Sequence, residues 1–352
     1  MKRLLLLLFS LIGLTAFAQT QTLTPPTYES ALMYRVSGKN LKKPSYLFGS
    51  YHVIPHEFVT RNERFLNIAQ SVDKIVTETD LTQMKVFKDS LEREAKAFVL
   101  KTKHLLEIPA DSQIVNVSPE KFQYINDFFQ RYNIETRIDP ERPWWHYNIL
   151  LDIIGNPTGF SLHILRALAH EKTGFPKDAP TTAIDYHMFA LADSLGKEKG
   201  ELESFEYQRS LAPMFNIDYS KIVVDSALTA RLQGTLRQLG TAENQTDMLY
   251  QFAQTLDKQF VPLFQKIFEL YLSQDGIATA KKLDEIPGAK EAFEGIQTQQ
   301  RNLNWIPVIE KMGAEKPTLF VFGCAHLFDG KGGRGVLHLL EDAGYTIEAI
   351  RL

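Results

Sequence analysis

Two short segments near opposite ends of the chain carry one pattern, and it constrains the fold more than anything between them. Tyr46-Leu47-Phe48 runs into Gly49, and His52 follows three residues later. Phe320-Val321-Phe322 runs into Gly323, and His326 follows at the same spacing. Each reads as an apolar strand, a glycine that permits a tight turn off the strand, and a histidine delivered to the strand's carboxyl edge. In α/β proteins that edge is where ligands bind. Neither end carries enough chain to fold alone, so both are expected to share one sheet. The histidines are 274 residues apart, but loop-closure entropy grows only slowly with length.

The neighbouring residues support an α/β reading. Residues 31–36 are predicted as a strand, 38–44 as a turn, 57–69 as a helix and 73–79 as a strand that ends in carboxylates, Glu78 among them. Strand, helix, strand over so short a stretch is the βαβ signature of parallel pairing. At the other end, residues 319–322 read as a strand, Asp329 to Gly335 as a glycine-rich loop, 336–343 as a helix and 345–350 as a last strand. The long middle, about 81–315, carries apolar stripes at helical spacing: Phe122, Ile125 and Phe129; Ile164, Leu165 and Leu168; Ile184, Met188, Leu191 and Leu195; Leu256, Phe260 and Phe264. These are core positions. Gly200-Glu201-Leu202-Glu203-Ser204, after a Lys/Gly turn, is a candidate short strand end among them. The expected fold class is α/β: a central mixed or parallel sheet built from N- and C-terminal segments, with a large, mostly helical insertion.

Residues 1–18 read as an address. Lys2 and Arg3 precede a short apolar run, and Ala16-Phe17-Ala18 reads as a cleavage site. The run is short for a membrane span, although an uncleaved anchor is the alternative. Residues 19–29 are expected to be a disordered leader and 30–352 a single domain. The expectation is an exported protein, periplasmic or extracellular, with no stable membrane insertion after cleavage. Of the 352 residues 44% are hydrophobic and 23% charged, which excludes a disordered chain and a polytopic membrane protein. A formal charge of −3 gives no electrostatic ground for nucleic-acid binding. One cysteine, Cys324, forbids an intramolecular disulfide. It follows an apolar run and reads as a small core residue.

Two imidazoles converging at a sheet edge beside Glu78 have the composition of a metal site or of a carboxylate–histidine dyad. Other histidines carry less. His52 and His56 are four apart, but Pro55 opposes a shared helix, and His56 reads as an exposed loop residue. His163 and His170 read as helix core or surface, and His146 follows two tryptophans that anchor a helix more often than they line a groove. His187 stands two residues from Asp185 as a chance pair. The glycine-rich loop lacks the phosphate-binding spacings, and no serine sits in a nucleophile elbow.

The chain resembles the TraB/GumN family, which is related to the Tiki metalloproteases and more distantly to the erythromycin esterase and ChaN-like proteins. The matching stretches are Phe48-Gly49-Ser50-Tyr51-His52, the strand ending at Glu78, Arg142-Pro143-Trp144, Ala183-Ile184-Asp185, Leu202-Glu203-Ser204 with Gln208, Arg301-Asn302 with Trp305, and Phe322 to Leu327. The resemblance implies a hydrolase-like site at His52, Glu78 and His326. In the Tiki branch these motifs go with metal-dependent peptide cleavage by ions of the Mn or Co type. His52, Glu78 and His326 are then metal ligands, or the histidines act as a base pair with Glu78 as general base. Glu203 is a further ligand or a structural contact. Arg301 pairs with a carboxylate or stabilises an oxyanion, and Asp185 is a further polar candidate. Ser50-Tyr51 and Cys324 depart from the common pattern. The leading expectation is an exported metal-dependent peptidase acting on a peptide or small-molecule substrate. Its rivals are a non-catalytic protein that sequesters a peptide or haem, and a metal-free esterase.

Overall fold

The computed structural model describes residues 28–80, 118–132, 157–174, 184–211 and 242–352, with scattered positions between 82 and 97, residue 134 and residues 225–227. The address segment, most of the leader, Arg142-Pro143-Trp144, His146 and Ala183 lie outside the described residues, as does the side chain of His163.

A six-stranded mixed sheet is the frame, in the order β4-β3-β5-β2-β1-β6. Its strands are β1 (Met33–Ser37), β2 (Ser45–Ser50), β3 (Lys74–Thr77), β4 (Glu198–Glu201), β5 (Thr318–Gly323) and β6 (Thr346–Ile350). The fold class is therefore α/β, with both chain ends in one sheet. β2, β5, β3 and β4 run parallel, and β1 is antiparallel to both β2 and β6. The C-terminal strand β5 lies between β2 and β3, pairing Gly49 with Phe322 on one side and Thr77 with Val321 on the other. The expected βαβ unit is thus parallel but not adjacent: the chain skips one position, and β5 fills it.

Strand composition follows strand position. All six residues of β5, Thr-Leu-Phe-Val-Phe-Gly, are buried, as befits a central parallel strand covered on both faces. β4 reads Glu-Lys-Gly-Glu and is half exposed. Charged residues blunt that edge, and Lys316 pairs with Glu198 there.

Helices cover both faces. The expected helix over 57–69 is divided. A short turn, Glu57–Thr60, is followed by α1 (Glu63–Ser71), whose start is set by the Asn62 side chain accepting from the Phe65 N–H at 3.0 Å. On that face Phe65 meets Phe48 edge-on at 5.2 Å, and α2 (Ile184–Ser194) packs against β3 and β5. A six-residue helix, α3 (Phe205–Ser210), follows β4, its N-terminus capped by Ser204. α4 (Thr298–Glu315) and α5 (Val336–Asp342) contribute Trp305, Ile309, Val336, Leu337 and Leu340 to a core shared with Tyr34, Leu47, Val76, Phe320 and Phe322.

Among the described residues the chain forms two compact units. The first draws on Met1–Met84, Ala169–Asn216 and Gln265–Leu352 and holds the sheet. The second draws on Lys85–Leu168 and Ile217–Phe264. The mostly helical middle is therefore not one block, since two of its stretches belong with the sheet. In the second unit, the helices Pro119–Arg131 and Ala242–Thr255 pack together over Ile125, Phe128, Phe129 and Leu249. Asp257 there accepts from Tyr124 at 2.8 Å and from Arg131 at 3.0 Å.

Candidate functional site

The four parallel strands deliver one polar residue each, just past their carboxyl ends. Across the sheet these are Glu203 after β4, Glu78 after β3, His326 after β5 and His52 after β2. The backbone ties neighbours together: the Glu203 N–H donates to the Glu78 carbonyl at 2.9 Å.

His52 and Asp185 form a dyad. The Nδ1 of His52 lies 3.0 Å from Oδ2 of Asp185, a buried carboxylate in the first turn of α2. Asp185 also accepts from the Ser50 hydroxyl. A second tie, from the Ile184 N–H to the Ile54 carbonyl at 3.3 Å, holds the loop after β2 to the start of α2. With Nδ1–H facing a carboxylate, the lone pair of His52 is on Nε2. Burial of the pocket works against a charge on His52, but Asp185 outweighs it, with a smaller contribution from Glu78, and the pKa is pushed up to about 9. Since 58% of the side chain is open to solvent, little of that burial is felt at the ring, and the contact with Asp185 decides the direction.

His326 stands in the opposite environment. It is 5% exposed, with its ring 4.5 Å from that of Trp305. Its Nδ1 lies 2.6 Å from Oδ1 of Asn302 and its Nε2 3.3 Å from Nη1 of Arg301. The amide N–H₂ of Asn302 donates to the Arg334 carbonyl at 2.8 Å, so its oxygen faces the imidazole. Nδ1 is then the donor and Nε2 accepts from the guanidinium. Burial first, and then the neighbouring Arg301, push the pKa of His326 down to about 3.

Arg301 joins the remaining groups. It is 3% exposed and lies 4.9 Å from the Trp305 ring. Nη2 donates to Glu78 Oε2 at 2.7 Å and contacts Glu203 Oε1 at 2.7 Å, while Nε donates to Glu203 at 3.0 Å. Trp305 Nε1 donates to Glu203 at 2.9 Å. One N–H on Nη1 has no partner among the described residues. Burial opposes charge on Arg301, but Glu78 and Glu203 on either side hold it protonated. Glu78 accepts on both oxygens: Oε1 from the Gly323 N–H at 2.7 Å, and Oε2 from Arg301 and from Gln208 Nε2 at 3.1 Å. Burial would raise its pKa, but Arg301, the two histidines and the Gly323 N–H outweigh it and hold the carboxyl down at about 2. Glu203 moves the other way: burial raises its pKa, and its bonds to Arg301 and Trp305 offset only part of this. Gln208 Oε1 and Thr79 Oγ1 are buried without a hydrogen-bond partner among the described residues.

His52, Glu78, Glu203, Arg301 and His326 are thus brought to one rim, with Asp185 beneath His52. A model of the TraB/PrgY/gumN family matches residues 32–349. The chain belongs to the TraB/PrgY/gumN family. No curated protein and no solved structure matches it.

In this TraB/PrgY/gumN chain the two motif glycines are not turn formers. Both are the last or next-to-last residues of their strands, and neither has a positive φ. They are needed for close approach. A Cβ on Gly49 would meet Leu327 Cδ1 at 2.5 Å and the Cys324 Cα at 3.0 Å. A Cβ on Gly323 would stand 3.2 Å from Glu78 Oε1 and 3.3 Å from His52 Nε2. The absence of a Cβ at Gly323 therefore leaves room beside both of those atoms. Cys324 is buried, and burial followed by the nearby Asp185 pushes its thiol up to about 12. It fills space.

One expectation for the other histidines changes. His56 is not an exposed loop residue: its ring stacks on that of His187 at 4.0 Å. His187 pairs with that ring rather than with Asp185. Asn302, Gln208 and Ser50 enter the site as partners of His326, Glu78 and Asp185. In the sequence they stand out only as parts of the matching stretches. The signal for Asn302 was its place next to Arg301 and one helical turn from Trp305.

The donor set does not fit a divalent ion. His326 Nε2 faces Arg301, and both oxygens of Glu78 and both of Glu203 are engaged. Among the described residues, His52 Nε2 alone of these donor atoms has no such partner. Among the described residues no group of three or more His, Cys, Asp or Glu side chains is arranged to hold a metal.

Proposed function

We propose that the protein is an exported hydrolase, in which His52 activates water against a carbonyl-type bond of a peptide or small-molecule substrate. The observation that carries this reading is the His52–Asp185 dyad at 3.0 Å, with Nε2 pointing into the gap that Gly323 leaves. A buried carboxylate on Nδ1 fixes the tautomer and stabilises the imidazolium that forms when Nε2 takes a proton. The remaining Nη1–H of Arg301, whose guanidinium is itself buried, serves the oxygen on which negative charge develops. Glu78, held far below the usual carboxylate range, is a poor base. Its role is to position Arg301 and keep the site's charge balanced. His326, neutral and engaged at both nitrogens, is likewise a positioning residue for Arg301. Gln208 Oε1 is an acceptor for a substrate N–H or O–H.

The test is turnover of a panel of chromogenic esters, anilides and quenched peptides by the mature chain, with His52→Gln as control. Hydrolysis that disappears in that variant is the expected result. Hydrolysis that survives it, or tight retention of a peptide or haem without turnover, would replace this reading with an unrelated site or a sequestering protein.

A further inference from the structure

The metal-peptidase expectation and the observed contacts disagree at one residue, and that residue points to a different kind of site. A single ion shared by His52, Glu78 and His326 needs a lone pair from each, about 2.0–2.2 Å from a common point. The His326 lone pair on Nε2 is directed at Arg301 Nη1, at 3.3 Å. Protonation cannot be traded with Nδ1 to free another donor, because Nδ1 is bound to Asn302 Oδ1, whose orientation is set by the Arg334 carbonyl. Glu78 Oε2 is bound to the same guanidinium at 2.7 Å. Glu203, the candidate fourth ligand, grips it on a second side.

Arg301 is also built in rather than draped over the site. It projects from the first turns of an 18-residue helix, packs against Trp305 and is 3% exposed. Trp305 and Arg301 share Glu203 as acceptor. A guanidinium is charged at every accessible pH and presents its donors in a rigid fork. Placed between two carboxylates and an imidazole, it supplies the positive charge a divalent ion would bring, and it uses the same lone pairs. The two cations exclude each other by competition for donors and by like-charge repulsion.

We infer that Arg301 is the resident cation of this site, and that the guanidinium keeps divalent ions out of the His52–Glu78–His326 cluster. The inference stands apart from the hydrolase reading, because ion occupancy is measured without any substrate.

The experiment uses the mature chain passed over chelating resin. MnCl₂, CoCl₂ and ZnCl₂ are each added at 1 mM, and the retained ion is quantified after gel filtration. Melting curves are recorded with each ion and with EDTA. An ion held at 100 times its Kd raises the melting temperature by about a few degrees. The expected result for the wild type is no stoichiometric ion and a melting temperature that neither the salts nor EDTA move. About one ion per chain, lost in Glu78→Gln or His52→Gln, would overturn the inference. An ion that survives both substitutions lies elsewhere and leaves it intact. Arg301→Met frees the lone pairs and is expected to bind Co²⁺ or Mn²⁺ at least about 10-fold more tightly than the wild type. If a folded Arg301→Met chain binds no better, the guanidinium is not what excludes the ion. If that variant does not fold, the wild-type measurement decides alone.

Discussion

The two Gly-x-x-His turns differ in everything except their spacing. His52 has an open ring edge and a carboxylate on Nδ1, and its pKa rises. His326 is enclosed, has a neutral amide on Nδ1 and a guanidinium on Nε2, and its pKa falls. The strands that deliver them are parallel neighbours. What separates the roles is the charge of the partner that each meets: Asp185 from α2 for one, Asn302 and Arg301 from α4 for the other. A shared motif fixes where a histidine emerges, and the helix it meets fixes what it does. On the proposed hydrolase reading, one turn is the reacting end of the site and the other part of its scaffold.

Arg301 breaks the comparison most severely, since it touches the His326 side and not His52. Arg301→Met leaves Glu78 and Glu203 buried without their cation and is expected to cost about 3–5 kcal/mol of stability, read by urea denaturation. Next come matched histidine variants. His52→Gln keeps a donor for Asp185, so it is expected to lower turnover by about 10²–10⁴ while stability changes by about 1 kcal/mol or less. His326→Gln is expected to reverse the weighting, with a stability loss of about 2–3 kcal/mol in an enclosed polar network. Equal effects of the two substitutions on stability would dissolve the distinction.

Much of the site's frame was legible in the sequence, because it rests on local patterns. The apolar runs of β2 and β5, the glycines and the histidines three residues on all lie within seven-residue windows. The strand that ends at Glu78 was equally plain. Strand order was not legible, because nothing in residues 319–322 says that β5 lies between β2 and β3. β4 was barely legible, since Glu-Lys-Gly-Glu is an edge strand without an apolar signature. The partners were hardest. Asp185 lies 133 residues from His52 in sequence, and only the fold joins them. Gly49 and Gly323 were read for the right place and the wrong reason: both are pinned by close approach, which depends on what packs opposite.

Partner exchange sharpens the comparison directly. Asp185→Asn removes the charge on Nδ1 and is expected to bring the His52 pKa down toward the ordinary value. Asn302→Asp installs a carboxylate on the other imidazole and is expected to raise that of His326. Histidine NMR titrations read both. The glycines give a smaller contrast. Gly49→Ala drives a methyl into Leu327 and the Cys324 backbone, at an expected cost of about 1–3 kcal/mol. Gly323→Ala crowds Glu78 and His52 and is expected to reduce turnover with about 1 kcal/mol or less of stability lost.

Stability against pH carries the same asymmetry. For a lowered pKa, the unfolded chain binds the proton more readily, so stability falls as pH falls. His326 loses stability this way from about 6.5 toward 3, and Glu78 from about 4.5 toward 2. For His52 the sign is opposite: its contribution is full below about 6.5 and is lost as pH rises through about 9. The rate is expected to rise over that alkaline range, as His52 Nε2 gives up its proton, and a pH–rate profile checks it.

Two histidines with one motif are expected to hold opposite charge states at neutral pH. Titration of their Cε1–H resonances in the wild-type chain, assigned with the His52→Gln and His326→Gln variants, tests it most directly. His52 is expected to titrate above 6.5 and His326 to remain neutral well into acid. Two ordinary curves near 6.5, or the reverse order, would contradict it.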